Sequence, residues 1–142
     1  MNLAALILIG SMLAGESMHC ESGIASQYSP GVMERTIRVR QAGRTARDLP
    51  MELPVVDGYV AVLNCADIGQ VWTILHGDTI ERMLVADCSG HAATSAWMRR
   101  NHILVEVDGA TAIRWGVVRR AAKVTVCKPI SESQVVKSSD GR

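Results

Sequence analysis

The stretch RMLVADCSGH, residues 82–91, runs through a short apolar segment and ends on a carboxylate and a thiol side by side, Asp87 and Cys88. An extended strand turns alternate side chains to opposite faces. On that period Val85 and Asp87 share one side, and Ala86 and Cys88 the other. The thiol is then free to meet a neighbouring strand while the carboxylate lines a groove, where a carboxyl group near apolar side chains is suited to general acid or base work. A strand that simply ends on a turn stapled by its cysteine explains the pair equally well, and both readings stand at this point.

Other side chains extend the chemical possibilities. Trp72, Trp97 and Trp115 have faces that stack on sugar rings; Trp72 inside an apolar strand and Trp115 in a short helix read as core. Trp97, flanked by Arg99 and Arg100, is the surface candidate. His91 and His102 follow Asp87 in sequence and titrate near neutral pH, though a turn or surface histidine is the commoner role. Arg99-Arg100 and Arg119-Arg120 are either contacts for an anionic polymer or ordinary solvated pairs.

The elements that must position these residues are mostly strands. SGIASQYS alternates, with Ile24, Ser26 and Tyr28 on one face and Ala25 and Gln27 on the other, and Pro30-Gly31 ends it. ERTIRVR alternates as an edge strand, Ile37 and Val39 opposing Thr36, Arg38 and Arg40, before a loop punctuated by Gly43, Pro50 and Pro54. GYVAVLNC, QVWTIL and ERMLVADC make a hairpin-rich block with a turn at His76-Gly77-Asp78. SGHAATSAWMRRN fits a loop or a short helix. HILVEVD is another strand, GATAIRWG a brief helix capped by Asp108 and stopped by Gly116, and AAKVTVCKP a last strand ended by Pro129. Six short strands with one or two short helices predict an all-β fold, a small barrel.

With 142 residues the chain suits one domain with a modest core. The formal net charge of +1 argues against nucleic acid as a partner. The segment Leu3–Gly15 carries no charge and resembles the apolar region of a secretory signal, although the usual preceding Lys or Arg is missing. The expected organisation is therefore a signal peptide over 1–17, a barrel over 18–129 and a polar tail over 130–142, with no stable membrane span once the signal is removed. Four cysteines, Cys20, Cys65, Cys88 and Cys127, suit two disulfides in an oxidising compartment; three pairings are open. None forms a C-x-x-C pair and no histidine stands at zinc-finger spacing, so no metal and no cofactor is expected.

The order of segments resembles the double-psi β-barrel of the rare lipoprotein A family and, more distantly, barwin and the expansins. GIASQYSPG is similar to that family's glycine-x-alanine-serine-tryptophan-tyrosine-glycine, with Gln27 in the tryptophan position. LPVVDGYVAVLN, RMLVADCSG and ILVEVDGATAIRWG are similar, in order, to three further pieces, so the match covers roughly residues 23–128. The resemblance implies a six-stranded double-psi barrel in a secreted, periplasmic or cell-surface protein that acts as a monomer on cell-wall polysaccharide, with peptidoglycan glycan strands as substrate. It places the family's catalytic aspartate on Asp87 and the groove near Tyr28, His91, Trp97 and Asp108. Barwin-like barrels join the corresponding strands by a bridge like Cys65–Cys88, and the ends of the first and last strands would meet at Cys20–Cys127, each bridge contributing about 2–4 kcal/mol.

One departure bears on catalysis. The family's glutamate and histidine after the first strand have no counterpart in GRTARDLPMELP, since no histidine lies between His19 and His76. Asp48 or Glu52 is the available second carboxyl group that glycoside cleavage generally requires. Whether the barrel is a lytic transglycosylase or glycosidase-like enzyme, a glycan-binding module, or a secreted structural or inhibitory domain is left open by the sequence. GVMERTIRVRQA also looks like an insertion relative to the family.

Overall fold

The structure is a computed structural model and describes residues 17–130. The signal expected at 1–17 and the tail expected at 130–142 lie, apart from Ser17 and Ile130, outside the described residues. The chain divides into a compact unit Cys20–Cys127 and a second unit of Met1–His19 with Lys128–Arg142. In the described part of the second unit Ile130 N donates to Ser17 O (3.0 Å).

The six strands are β1 (Met18–Gln27), β2 (Gly58–Val62), β3 (Val71–His76), β4 (Thr79–Cys88), β5 (Ile103–Val107) and β6 (Ala122–Pro129). They close into a barrel in the order β1-β5-β2-β4-β3-β6. Pairs β1/β5 and β2/β4 are parallel, and pairs β2/β5, β3/β4 and β3/β6 are antiparallel. The interior is filled by one side of each strand's alternation: Ala25, Val60 and Val62, Trp72 and Ile74, Met83 and Val85, Val105 and Val107, Val124 and Val126. With no Phe in the chain, β-branched aliphatics fill this small barrel; they suit the pleated surface because their χ1 is already restricted.

The expected small six-stranded barrel is found, but the described residues hold three α-helices rather than one or two: α1 (Val32–Gln41), α2 (Ala92–Arg100) and α3 (Gly109–Trp115). The first occupies the segment expected as an edge strand. Within VMERTIRVRQ the alternation of Ile37 and Val39 competes with a helical spacing that joins Met33 and Ile37, and those two are the residues buried; Val39 is exposed. Outward-facing Ala61 and Ala86 leave an apolar floor on the barrel wall, and Met33, Ile37 and Leu49 pack onto it in a second core cluster. Packing on that floor rather than local pattern decides the conformation. Gly31, at φ 73°, makes the left-handed turn into the helix, Glu34 stands in its first turn, and Arg38 and Arg40 in its last, which matches the helix dipole.

Helix α3 follows expectation. Asp108 caps it, its side chain accepting from Thr111 N, and Gly116 at φ 67° ends it in the left-handed conformation favoured there. Cys20–Cys127 crosses the seam where β6 meets β1, and Cys65–Cys88 ties the 3₁₀ turn Cys65–Asp67 to the end of β4. Both pairings are the expected ones. Closing loops with sequence separations of 107 and 23 residues restricts the unfolded chain, by about 3–5 kcal/mol per bridge on the entropic account. Two disulfides fit an oxidising, extracellular-type environment. Among the described residues no helix is long and apolar enough to cross a membrane.

Candidate functional site

A β-bulge sets the direction of Asp87. Val60 pairs with Val85, but the next residue, Ala61, pairs with Asp87, leaving Ala86 as the extra residue. Val85 belongs to the barrel interior, whereas Ala61 and Ala86 belong to the cluster beneath α1. The simple alternation that put Val85 and Asp87 on one side is therefore broken: the bulge brings Asp87 into register with an outward-facing residue. Bulges commonly re-aim a side chain in this way beside functional sites.

Asp87 is held by two side chains distant in sequence. Tyr28 Oη donates to Oδ2 (2.5 Å) and Arg40 Nη2 to Oδ1 (2.6 Å). The Arg40 and Asp87 side chains are 11% and 15% exposed, so this ion pair is sheltered from solvent screening. Arg40 also uses Nη1 to donate to Arg47 O (2.8 Å) and Thr45 Oγ1 (3.3 Å). Thr45 Oγ1 in turn lies 3.2 Å from Asp48 Oδ1. Asp48 is thus connected to Asp87 only through Arg40 and Thr45. Glu52 is exposed and takes no part in the hydrogen bonds and ion pairs that hold Asp87.

A second carboxyl group stands elsewhere than expected. Ala61 is the register partner of Asp87 on β4 and of Glu106 on β5, so the two carboxylates flank one small residue across the central strand. Burial pushes the Glu106 carboxyl up; the Ser26 hydroxyl beside it pulls the other way, and the charge of Asp87 raises it further. Burial likewise raises Tyr28 to about 12, followed by its hydrogen bond to Asp87, with Thr36 opposing and the charges of Asp87 and Glu106 adding to the rise. A phenol that stays protonated is a dependable donor to the aspartate. Tyr28, Arg40, Asp87 and Glu106 form one electrostatic cluster.

Beside this cluster lies an open groove of about 630 Å³, lined among others by Ser26, Gln27, Tyr28, Trp97, Arg119 and Arg120. Strand β1 links the two: Tyr28 lines the groove and donates to Asp87, and Ser26, also on the wall, is the register partner of Glu106. Trp97 projects from α2 and is 41% exposed, unlike Trp72 at 4%. Trp115 is stacked on His76 (4.6 Å between centroids) and donates to Glu81 Oε2 (2.8 Å). The surface role expected for Trp97, and the structural roles for the other two, match this placement.

The remaining candidates separate from the cluster. Asp108 is 4% exposed. It accepts from Tyr59 N (2.6 Å), Thr111 N (2.8 Å) and Thr111 Oγ1 (3.1 Å), which makes it a buried cap rather than a groove residue. His91 is exposed and precedes α2 without capping it by its side chain. His102 is an exposed turn residue at φ 55°. Among the described residues no group of three or more His, Cys, Asp or Glu is arranged to hold a metal ion.

Arg40 and Glu106 were not singled out from sequence. Arg40 lay in a segment read as a strand. Glu106 had a usable signal: it is the one charged residue inside ILVEV, on the outward side of that strand's alternation. Comparison with family models, curated proteins and solved structures finds no match to this chain.

Proposed function

We propose that this barrel is an exported module that binds cell-wall polysaccharide in the groove between Tyr28 and Trp97. The observation that carries the reading is the exposure of Trp97 on the wall of that groove. An indole left in solvent offers a sugar ring its apolar face, and the side-chain amide of Gln27 on the same wall offers a partner for ring hydroxyls. The resemblance to the rare lipoprotein A family points the same way, and the two disulfides agree with export.

The test is a pull-down of the purified protein on insoluble peptidoglycan, cellulose and chitin. The wild type is expected in the pellet with at least one of them, and Trp97→Ala should lower the bound fraction about tenfold, the effect of losing roughly 1.4 kcal/mol. Equal retention of Trp97→Ala, or no retention of the wild type on any of the three, refutes the reading.

A second reading, cleavage of the bound glycan, is favoured by the placement of Asp87 and Glu106 on either side of Ala61. Glycoside cleavage generally uses two such carboxyl groups flanking the bond. In that reading Glu106, with its raised carboxyl, is the proton donor and Asp87, fixed by Arg40 and Tyr28, its partner; Asp48 and Glu52 have no part. Soluble fragments released from the pelleted polysaccharide would establish it, with Glu106→Gln and Asp87→Asn each lowering release about 100-fold while binding persists.

A further inference from the structure

The groove carries unpaired positive charge on its wall. On the wall with Trp97 and Asn101 stand Arg119 and Arg120. Among the described residues the ion pairs are Arg40–Asp87 and Arg114–Glu81, so neither Arg119 nor Arg120 is neutralised by a carboxylate among them.

The backbone at this end is unusual. Arg119 has φ 57°, a left-handed conformation that a long side chain adopts at a cost. It is fixed by a hydrogen bond from Arg119 N to Gln27 Oε1 (3.0 Å), while Arg120 N donates to Val117 O (2.9 Å). Gln27 lines the same groove. A glycine would make the same turn without strain, so the fold itself does not call for arginine at this position. Strained non-glycine residues gather where side-chain placement serves a ligand.

We propose that the Trp97–Arg119–Arg120 end of the groove is an anion subsite that selects an acidic saccharide, one whose ring bears a carboxylate or a sulfate. The inference rests on the glycan reading above and specifies the class of glycan. A guanidinium fork pairs with two oxygens of either group, while Trp97 takes the ring face.

The probes are a galacturonate trisaccharide, its methyl ester, which keeps the rings and removes the charge, and a sulfated galactan trisaccharide, each titrated calorimetrically into the full chain. One of the two anionic probes should bind at least tenfold more tightly than the ester, and which one does so identifies the anion. Arg119→Gly with Arg120→Gln should bring that affinity down to the ester's and leave the ester unchanged; the glycine suits the left-handed turn and guards the fold. Arg120→Gln alone should give part of the loss if the pair fails to fold. Equal binding of ester and anions, or a preference that survives the arginine substitutions, overturns the acidic specificity while leaving a glycan groove in place. Binding of none of the three overturns it as well, and the pull-down on neutral and mixed polysaccharides then decides separately whether the groove takes glycans at all.

Discussion

Asp87 and Asp108 stand at the same kind of place, where a strand of the barrel runs out, and they are held in opposite ways. Asp108 takes all its donors from backbone and side chain of Tyr59 and Thr111, and is buried at the start of a helix. Asp87 takes its donors from Tyr28 and Arg40, which are 59 and 47 residues away in sequence, and it lies next to an open groove. The first aspartate organises the chain around itself. The second is organised by the chain: a bulge turns it outward, a helix brings the cation and a strand brings the phenol. A carboxylate held by charged and phenolic side chains from separate elements belongs to a constructed cluster, whereas one spent mainly on buried backbone amides is part of the scaffold.

The largest effect should come from the scaffold side. Asp108→Ala leaves the amides of Tyr59 and Thr111 without their acceptor in a buried site, and should cost about 3 kcal/mol, a fall in Tm of roughly 10 °C or more for a domain of this size. Gly58 packs against the same place, where an added Cβ would meet Thr111 Oγ1, Asp108 Oδ2 (2.8 Å) and Met83 Cε (2.8 Å), so little room exists for water to take over. Thermal denaturation followed by circular dichroism measures this. A loss below about 1 kcal/mol would erase the distinction between the two aspartates.

On the Asp87 side, Arg40→Met removes the cation and leaves a sheltered carboxylate with Tyr28 alone. The expected loss is about 2 kcal/mol, because breaking one partner of a buried pair exposes the desolvation cost of the other. The double substitution Arg40→Met with Asp87→Asn should recover much of it, since removing both charges abolishes that cost. Urea denaturation of the two single variants and the double variant forms the cycle. Strict additivity of the single effects would show that Arg40 and Asp87 do not stabilise each other.

The same contrast explains what could be read in advance. The Asp108 cap on Thr111 and the Gly116 stop rest on contacts within a few residues, and the strands show as local alternation even though their partners are distant, so local pattern carries that information. The interior alternation of Val60 and Val62, or of Val105 and Val107, is equally local. The helix Val32–Gln41 was misread because its apolar residues fit two periods over a short run, and the floor that decides between them is Ala61 and Ala86, on strands far along the chain. The outward turn of Asp87 depends on a one-residue bulge against β2, which no pattern within RMLVADC discloses. Glu106 entered the cluster through β5 lying beside β2, a matter of topology. Asp48 and Glu52 were chosen from their position in a loop, and the loop's path, pinned by Arg40 to Arg47 O and Thr45 Oγ1, leaves Asp48 connected only through intermediaries and Glu52 outside.

The smallest effect tests the cluster's electrostatics without disrupting its hydrogen bonds. Burial first, and the charge of Asp87 as well, raise the Glu106 carboxyl above its ordinary value of 4.5. In the window between that value and the raised one, the folded state holds a proton at Glu106 that the unfolded state has already released. Folding is therefore favoured below the window, and Glu106 contributes a loss of stability as pH rises through it. Other carboxylates titrate nearby, so the measurement is the difference in urea midpoint between wild type and Glu106→Gln, followed from pH 4 to pH 7. Relative to the variant, the wild type should decline across the window, ending at pH 7 no more stable than Glu106→Gln. Asp87→Asn should shrink that decline by removing the neighbouring charge, though not abolish it, because burial is the larger cause. If the wild type instead gains stability relative to Glu106→Gln as pH rises, Glu106 is stabilised as an anion, and the view of two carboxyl groups competing across Ala61 is wrong.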